Sequence, residues 1–243
     1  MPILPLNLFE DLGNSFYKTF IREDRYLNFL EGLGNTLLIT LFATLIGILI
    51  GLIIAVVKVS YAQSAKKNIF LKIANGICSA YVAVIRGTPM VVQLMIMYYL
   101  VFVSFSADQA IIVAIIAFGI NSGAYVSEIV RGGILAVDRG QMEAGRSLGL
   151  NYGQTMTNII LPQAIKSILP ALGNEFIVLL KETSIVGYIA VVDLTRAADI
   201  VRSRTFDAFF SLISIAIVYF ILVMGLSALL KRIERRLAKS DRR

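Results

Sequence analysis

The chain has 243 residues, 57% of them hydrophobic and 16% charged, against roughly 45–50% and about 25% in soluble domains, so it reads as an integral membrane protein. Its formal net charge of +7 points to cytoplasmic loops and anionic lipid headgroups, and away from nucleic acid, because no basic helix is interleaved with base-reading or stacking residues. Having no His and one cysteine, Cys78, it excludes histidine-based catalysis, most zinc sites and an intramolecular disulfide.

Residues 1–30 carry charges throughout, without a basic start or an unbroken apolar core, so they are not read as a cleavable signal. They form an outer extension with a mixed-charge cluster, Arg22, Glu23, Asp24 and Arg25, and one short interfacial helix. A transmembrane unit over 31–231 follows. Crossing a hydrocarbon layer takes about 20 mostly apolar residues, and five such segments occur.

The first covers about 34–57, closed by Lys58, with Gly47 and Gly51 spaced for close helix contact. The second lies within 69–105, which as one straight helix would be roughly 54 Å long, too long to span without tilt or a break. Gly87 and Pro89 in Arg86-Gly87-Thr88-Pro89 supply that break. Cys78 sits in this apolar run as a small buried hydrophobe, and Tyr98 and Tyr99 read as aromatic-belt residues. The third covers about 110–129, where Glu128 and Arg131 pair at i and i+3. A polar linker over 138–162 leads to the fourth, which ends near residue 189 with Lys181 and Glu182 anchoring it at the far interface. The fifth covers about 209–230, and a basic tail over 232–243 closes the chain.

Lys58, Lys66, Lys67 and Lys72, then Arg131, Arg139 and Arg146, then Lys231, Arg232, Arg235, Arg236, Lys239, Arg242 and Arg243 all fall on one side of these spans. By the positive-inside rule that side is cytoplasmic. The expectation is an all-α multi-pass protein of the cell membrane with five transmembrane helices and its N-terminus outside. Arg196, Arg202 and Arg204 place positive charge outside, accompanied by Asp193, Asp199 and Asp207.

The linker is the most patterned polar stretch: Glu143, Ala144, Gly145, three residues, Gly149, nine residues, Ile159, one residue, then Leu161 and Pro162. Ala144, Gly145 and Gly149 leave a small-residue surface that a partner's groove could close around. Glu143 is expected near a helix start, where the dipole favours negative charge, and Pro162 is expected to end the segment so that the fourth span begins at an angle. The plain reading is a cytoplasmic loop with glycine turns. At every spaced position, however, the stretch resembles the EAA loop of ABC-importer permeases, which receives a cytoplasmic ATPase. Gly145 stands where that family most often has Ala, a change expected to weaken local helicity by about 1 kcal/mol.

The likeness extends to Arg86-Gly87-Thr88-Pro89 with Gln93, to Asn121-Ser122-Gly123-Ala124-Tyr125 with Glu128, to Leu169 through Glu175, and to Lys181-Glu182, all of which resemble permeases of polar amino-acid importers. It covers roughly residues 34–236. The resemblance implies a type I importer fold and a subunit that is not itself an enzyme. Its partners would be two ATPase subunits that hold ATP and Mg, a second permease copy (a homodimer in preference to a different permease), and an external binding protein that delivers the amino acid. No Walker-type glycine loop occurs in the chain, and no cofactor is expected on it.

Glu175 lies 13 residues past Pro162, about 20 Å along a helix and near the middle of the hydrocarbon core. A carboxylate at that depth needs a polar partner or an aqueous cavity. It would meet a substrate cation, with Asn174 adding amide groups, or it would pair with a neighbouring helix, Arg86 being the obvious partner. Arg86 in turn either meets a substrate carboxylate or fixes the helix break, and Thr88 and Gln93 are further substrate-contact candidates. Resemblance at Asn174-Glu175 favours a basic cargo, arginine, lysine or histidine. Glutamine, cystine or another polar amino acid is the alternative, and an ion-coupled secondary transporter is a more distant one.

Overall fold

The computed structural model describes residues 8–64 and 68–239, and every regular element among them is helical. Lys66, Lys67, Arg242 and Arg243, which entered the orientation argument, lie outside the described residues.

Helix α1, Leu8–Phe16, continues through a π-turn, Tyr17–Ile21, and a 3-10 turn, Arg22–Asp24. Glu23 and Asp24 both adopt left-handed backbone, φ 58° and 51°, and so reverse the chain into the first span. Arg25 pins the reversal by donating to Lys18 O at 2.7 Å and to Glu23 Oε2 at 3.0 Å.

Helix α2, Tyr26–Gln63, is longer at both ends than the apolar segment within it. Its buried stripe consists of small residues, Gly32, Thr36, Thr40, Ala43, Gly47, Gly51 and Ala55, at intervals of three and four. Thr40 and Thr44 return their hydroxyls to the carbonyls of Thr36 and Thr40, so no polar group of the stripe faces outward unsatisfied. Against this stripe packs α5, Ala110–Leu135, with the fit reciprocal. A β-carbon on Gly47 would meet Ser122 at 2.8 Å and one on Gly51 would meet Val126 at 2.4 Å, while Ile46 and Ile50 fill the space over Gly119 and Gly123 at 2.6 and 2.7 Å. Glycine on both helices therefore brings the backbones together, as the Gly47 and Gly51 spacing anticipates.

The second span is α3, Ile69–Gly87, N-capped by Asn68, then a break at Thr88 and Pro89, then α4, Met90–Ile96, which runs on as a π-turn, Met97–Val101. Cys78 is half-buried beside Ile54, Val82 and Ala124. After α5 come α6, Arg139–Ser147, the short α7, Tyr152–Thr155, a π-turn, Met156–Ile160, and α8, Leu161–Glu182. A 3-10 stretch, Thr183–Ile189, leads to α9, Leu194–Thr205, and α10, Ala208–Lys239, ends the described chain. Five segments are long and apolar enough to cross a membrane: Tyr26–Gln63, Ile69–Gly87, Ala107–Leu135, Tyr152–Ile189 and Ala208–Leu237.

Pro162 does not end a segment. It sits in the first turn of α8, and because it has no N–H to donate, the turn before it widens into the π form while the helix continues. The fourth span thus begins at Tyr152, inside the patterned loop.

The two larger apolar cores among the described residues lie at opposite ends. One, at the end carrying α9, gathers Ile39, Leu94, Ala114, Phe118, Leu179 and Val186. The other, at the α6 end, gathers Ala55, Val59, Val130, Ile134, Ile160 and Ala164. Between them α5 carries the polar residues Asn121 and Ser122.

Candidate functional site

The patterned loop folds as a hairpin of α6 against α7 and its π-turn. Asp138 caps α6 by accepting from Gly140 N, and Asn151 with Gln154 forms a capping box on α7. Glu143 is the fifth of nine residues in α6, so the stabilising charge at the helix start is Asp138. At the other end of α6, Leu150 N donates to Gly145 O at 3.1 Å and Gly149 N to Arg146 O at 3.0 Å. That pair of bonds is a Schellman closure, and it requires φ +85° at Gly149, backbone that glycine adopts without strain.

The motif residues divide by what they touch. Glu143, Ala144 and Gly149 are exposed at the tip, beside Leu148, a large apolar side chain left 80% exposed. Gly145 is buried instead: a β-carbon there would stand 2.5 Å from Thr155 Cγ2 and 3.1 Å from Ile159 Cδ1. It is therefore not part of the exposed small-residue surface expected of it. Ile159 and Leu161 pack with the α2–α5 core, Pro162 is exposed, and Tyr152 OH donates to Gln63 Oε1 at the end of α2. The hairpin therefore has an exposed tip and a base packed into the same apolar core as α2, α5 and α8.

The break in the second span is closed by one side chain. Gln93 Nε2 donates to Ile85 O at 2.8 Å, Thr88 O at 3.1 Å and Thr88 Oγ1 at 2.8 Å, and Gln93 Oε1 accepts from Asn121 Nδ2 at 2.9 Å. Thr88 Oγ1 also donates to Val84 O at 2.8 Å. These bonds satisfy carbonyls that Pro89 leaves without helical donors, so Thr88 and Gln93 are committed to holding the bend. Arg86 is exposed beside it, with its guanidinium 5.2 Å from the centre of the Tyr125 ring.

Glu175 is half-buried on α8 and accepts from Ser122 Oγ at 3.0 Å. The expected alternative, pairing with Arg86, is not formed. Among the described residues no Lys or Arg forms an ion pair with this carboxylate. Asn174, about 100° around the helix, instead lines a cleft of about 460 Å³ with Pro170, Ser227 and Lys231, so the two neighbours serve different walls. Ser122 and Asn121 are adjacent on α5, and the Gln93–Asn121 and Ser122–Glu175 bonds therefore make one polar layer across α4, α5 and α8.

Nearer the hairpin, Glu128 accepts from Lys58 Nζ at 2.5 Å and from Arg131 Nη2 at 2.6 Å. The Arg131 contact is the expected i,i+3 pair; Lys58 on α2 is the partner that helix spacing does not reveal. Thr155 and Leu148 are likewise new, as is the role of Ser122 as the partner of Glu175. Lys181 is exposed and Glu182 half-buried at the end of α8. Tyr98 and Tyr99 stack edge to face at 5.0 Å, with Tyr99 OH donating to Tyr188 O. Among the described residues there is no cluster of acidic or cysteine side chains fit to hold a metal.

The family of binding-protein-dependent transport system inner membrane components matches residues 47–239. The arginine transport system permease protein ArtQ of Bacillus subtilis (strain 168) is 40% identical over 214 residues, 87% of this chain and 93% of its own length. The glutamine transport system permease protein GlnP of Escherichia coli (strain K12) is 39% identical over 167 residues, 68% of this chain and 76% of its own. Among solved structures, an amino acid ABC transporter crystallised with histidines superposes with a TM-score of 0.78 at 46% identity, covering 87% of this chain and 94% of that one. The MetNI methionine ABC transporter in an inward-facing form shares the fold, with a TM-score of 0.74 at 22% identity, covering 88% and 98%. A match over most of the chain, including the hairpin, the second half of the first span and the four later spans, places this protein in the family of binding-protein-dependent transport system inner membrane components, as a multi-pass permease subunit that is not itself an enzyme.

Proposed function

We propose that the chain is the permease of an ATP-driven importer for polar amino acids. The α6–α7 hairpin faces the cytoplasm and receives the ATPase through Glu143, Ala144, Leu148 and Gly149. The N-terminus then lies outside, and two copies enclose the path. ATP draws two ATPase subunits together, the hairpins move with them, and because Ile159 and Leu161 are packed into the helix core, the two halves rock and alternate the access of a midplane cavity. An external binding protein delivers the cargo.

The observation that carries the substrate reading is Glu175: a half-buried carboxylate at mid-depth with a serine partner and no cation of the described chain paired to it. An ammonium or guanidinium group in transit would supply that cation. Relatives named for arginine and for glutamine agree with an amino acid, whose α-ammonium both carry. The missing counter-charge favours a basic side chain, and the glutamine-named relatives favour the second reading, in which Glu175 meets the α-ammonium alone.

Uptake by vesicles containing the whole complex separates these. With Glu175→Gln, loss of a charge-assisted hydrogen bond should lower arginine uptake by about tenfold or more relative to glutamine. Equal losses for both would identify the α-ammonium as the group read, and unchanged uptake of both would remove Glu175 from the path.

A further inference from the structure

Helix α10 changes character along one face. Ile213, Ile217, Ile221 and Met224 are 46%, 52%, 62% and 54% exposed, and at 100° per residue they fall within an arc of roughly 80°. This stripe begins about 27 Å before Lys231, close to the depth of a hydrocarbon layer. The same face then becomes basic. Lys231, Arg232, Arg235 and Arg236 are all exposed and fall within an arc of roughly 140° that starts where the apolar stripe does. None of the four forms an ion pair with a described residue.

The opposite side of the helix faces the protein. Leu230 fills the space over Gly173 of α8, at 2.5 Å from where a β-carbon would be, and Glu234 and Leu237 line a cleft of about 550 Å³ with Asp138, the cap of α6. The acidic residue of this turn is thus directed inward and Arg232, Arg235 and Arg236 outward, while Lys231 stands at the border, exposed and at the rim of the cleft it shares with Asn174 and Ser227.

We propose that the basic face of α10 is a binding site for anionic phospholipid headgroups of the leaflet on the hairpin side. The acyl chains would lie along Ile213 to Met224, and the phosphates would meet Lys231, Arg232, Arg235 and Arg236 where the helix leaves the hydrocarbon. Glu234 of the same turn lines a cleft with Asp138, so a bound headgroup would sit near the start of α6. The site stands whether or not the cargo reading is right, and its test involves no transport.

The full-length chain is carried in nanodiscs of equal phosphatidylglycerol and phosphatidylcholine, and the lipids retained are counted by native mass spectrometry. The wild type should retain phosphatidylglycerol over phosphatidylcholine by about tenfold, with the preference falling as salt rises. The preference should vanish in Lys231→Gln/Arg232→Gln/Arg235→Gln/Arg236→Gln. It should persist in the charge-keeping Arg232→Lys/Arg235→Lys/Arg236→Lys and in Arg196→Gln/Arg202→Gln at the other end. Equal retention of both lipids by the wild type, or an unchanged preference in the glutamine variant, overturns the proposal. So does a glutamine variant that keeps its lipid preference but no longer holds the ATPase, since the face would then belong to a protein partner.

Discussion

Gly145 and Thr155 face each other across the hairpin so closely that a β-carbon on Gly145 would stand 2.5 Å from Thr155 Cγ2. Thr155 is fully buried and donates its hydroxyl to Asn151 O at 3.0 Å, so it cannot swing away without losing that bond. The glycine that looks like a local weakness in α6 is the residue that lets the two limbs close.

Gly145→Ala should therefore destabilise the hairpin although it improves helix propensity by about 1 kcal/mol. Overpacking costs about 1–3 kcal/mol, so the net effect is a loss, read as faster amide exchange over residues 139–160. Gly145→Ala with Thr155→Ser, which removes the clashing methyl, should restore slow exchange. Gly149→Ala should cost about 1–2 kcal/mol through its φ of +85°, and no partner substitution should rescue it.

How much of this was legible in the sequence depends on the range of each interaction. The glycine stripe of α2 and the break at Pro89 are local features, written in spacing and in proline's missing N–H, and both occur where the sequence places them. Ser122 as partner of Glu175, Lys58 as partner of Glu128, and Thr155 opposite Gly145 depend on how helices are rotated against one another, which spacing along one helix does not encode. Pro162 shows a second limit. A proline marks either the end of a helix or its first turn, and only the π-turn before it decides for continuation. Asn174 and Glu175 look like one site because they are adjacent in sequence, yet adjacency on a helix sends their side chains to different walls.

Gln93 ties α3, α4 and α5 through four hydrogen bonds. Gln93→Leu keeps the volume but leaves the Asn121 amide and the Ile85 and Thr88 carbonyls without this partner. A loss of about 2–4 kcal/mol is expected from groups left unsatisfied, measured as a lower denaturation midpoint in detergent. Gln93→Glu should be milder for Asn121, whose amide still finds an acceptor, and worse for the carbonyls.

Asp193 is fully buried and caps α9, accepting from Thr195 N at 2.9 Å and Arg196 N at 3.0 Å. Burial pushes its carboxyl above the ordinary value, outweighing the hydrogen bonds that act to lower it. The folded state therefore holds this proton more tightly than the unfolded chain, and stability should rise as pH falls from the raised value toward the ordinary one. Asp193→Asn keeps an acceptor at the cap and should abolish this pH dependence, whereas Asp193→Ala should cost about 1 kcal/mol. Thermal melts between pH 4 and 7, a range taken from the usual carboxylate values, check both. Asp199 behaves oppositely: hydrogen bonds from Arg202 hold its carboxyl below the usual range, so its small contribution is present above that range and fades as pH falls through the depressed value.

Coupling through the exposed tip of the hairpin is the central claim, and it is most directly tested by substituting Glu143 and following ATP hydrolysis and amino-acid uptake together in vesicles that contain permease, ATPase and binding protein. Reversal of an exposed interface charge should cost about tenfold or more in uptake per ATP hydrolysed for Glu143→Lys, while Glu234→Lys, behind the hairpin, should leave that ratio near the wild-type value. An unaltered ratio for Glu143→Lys, with the protein folded and the ATPase bound, would contradict the account.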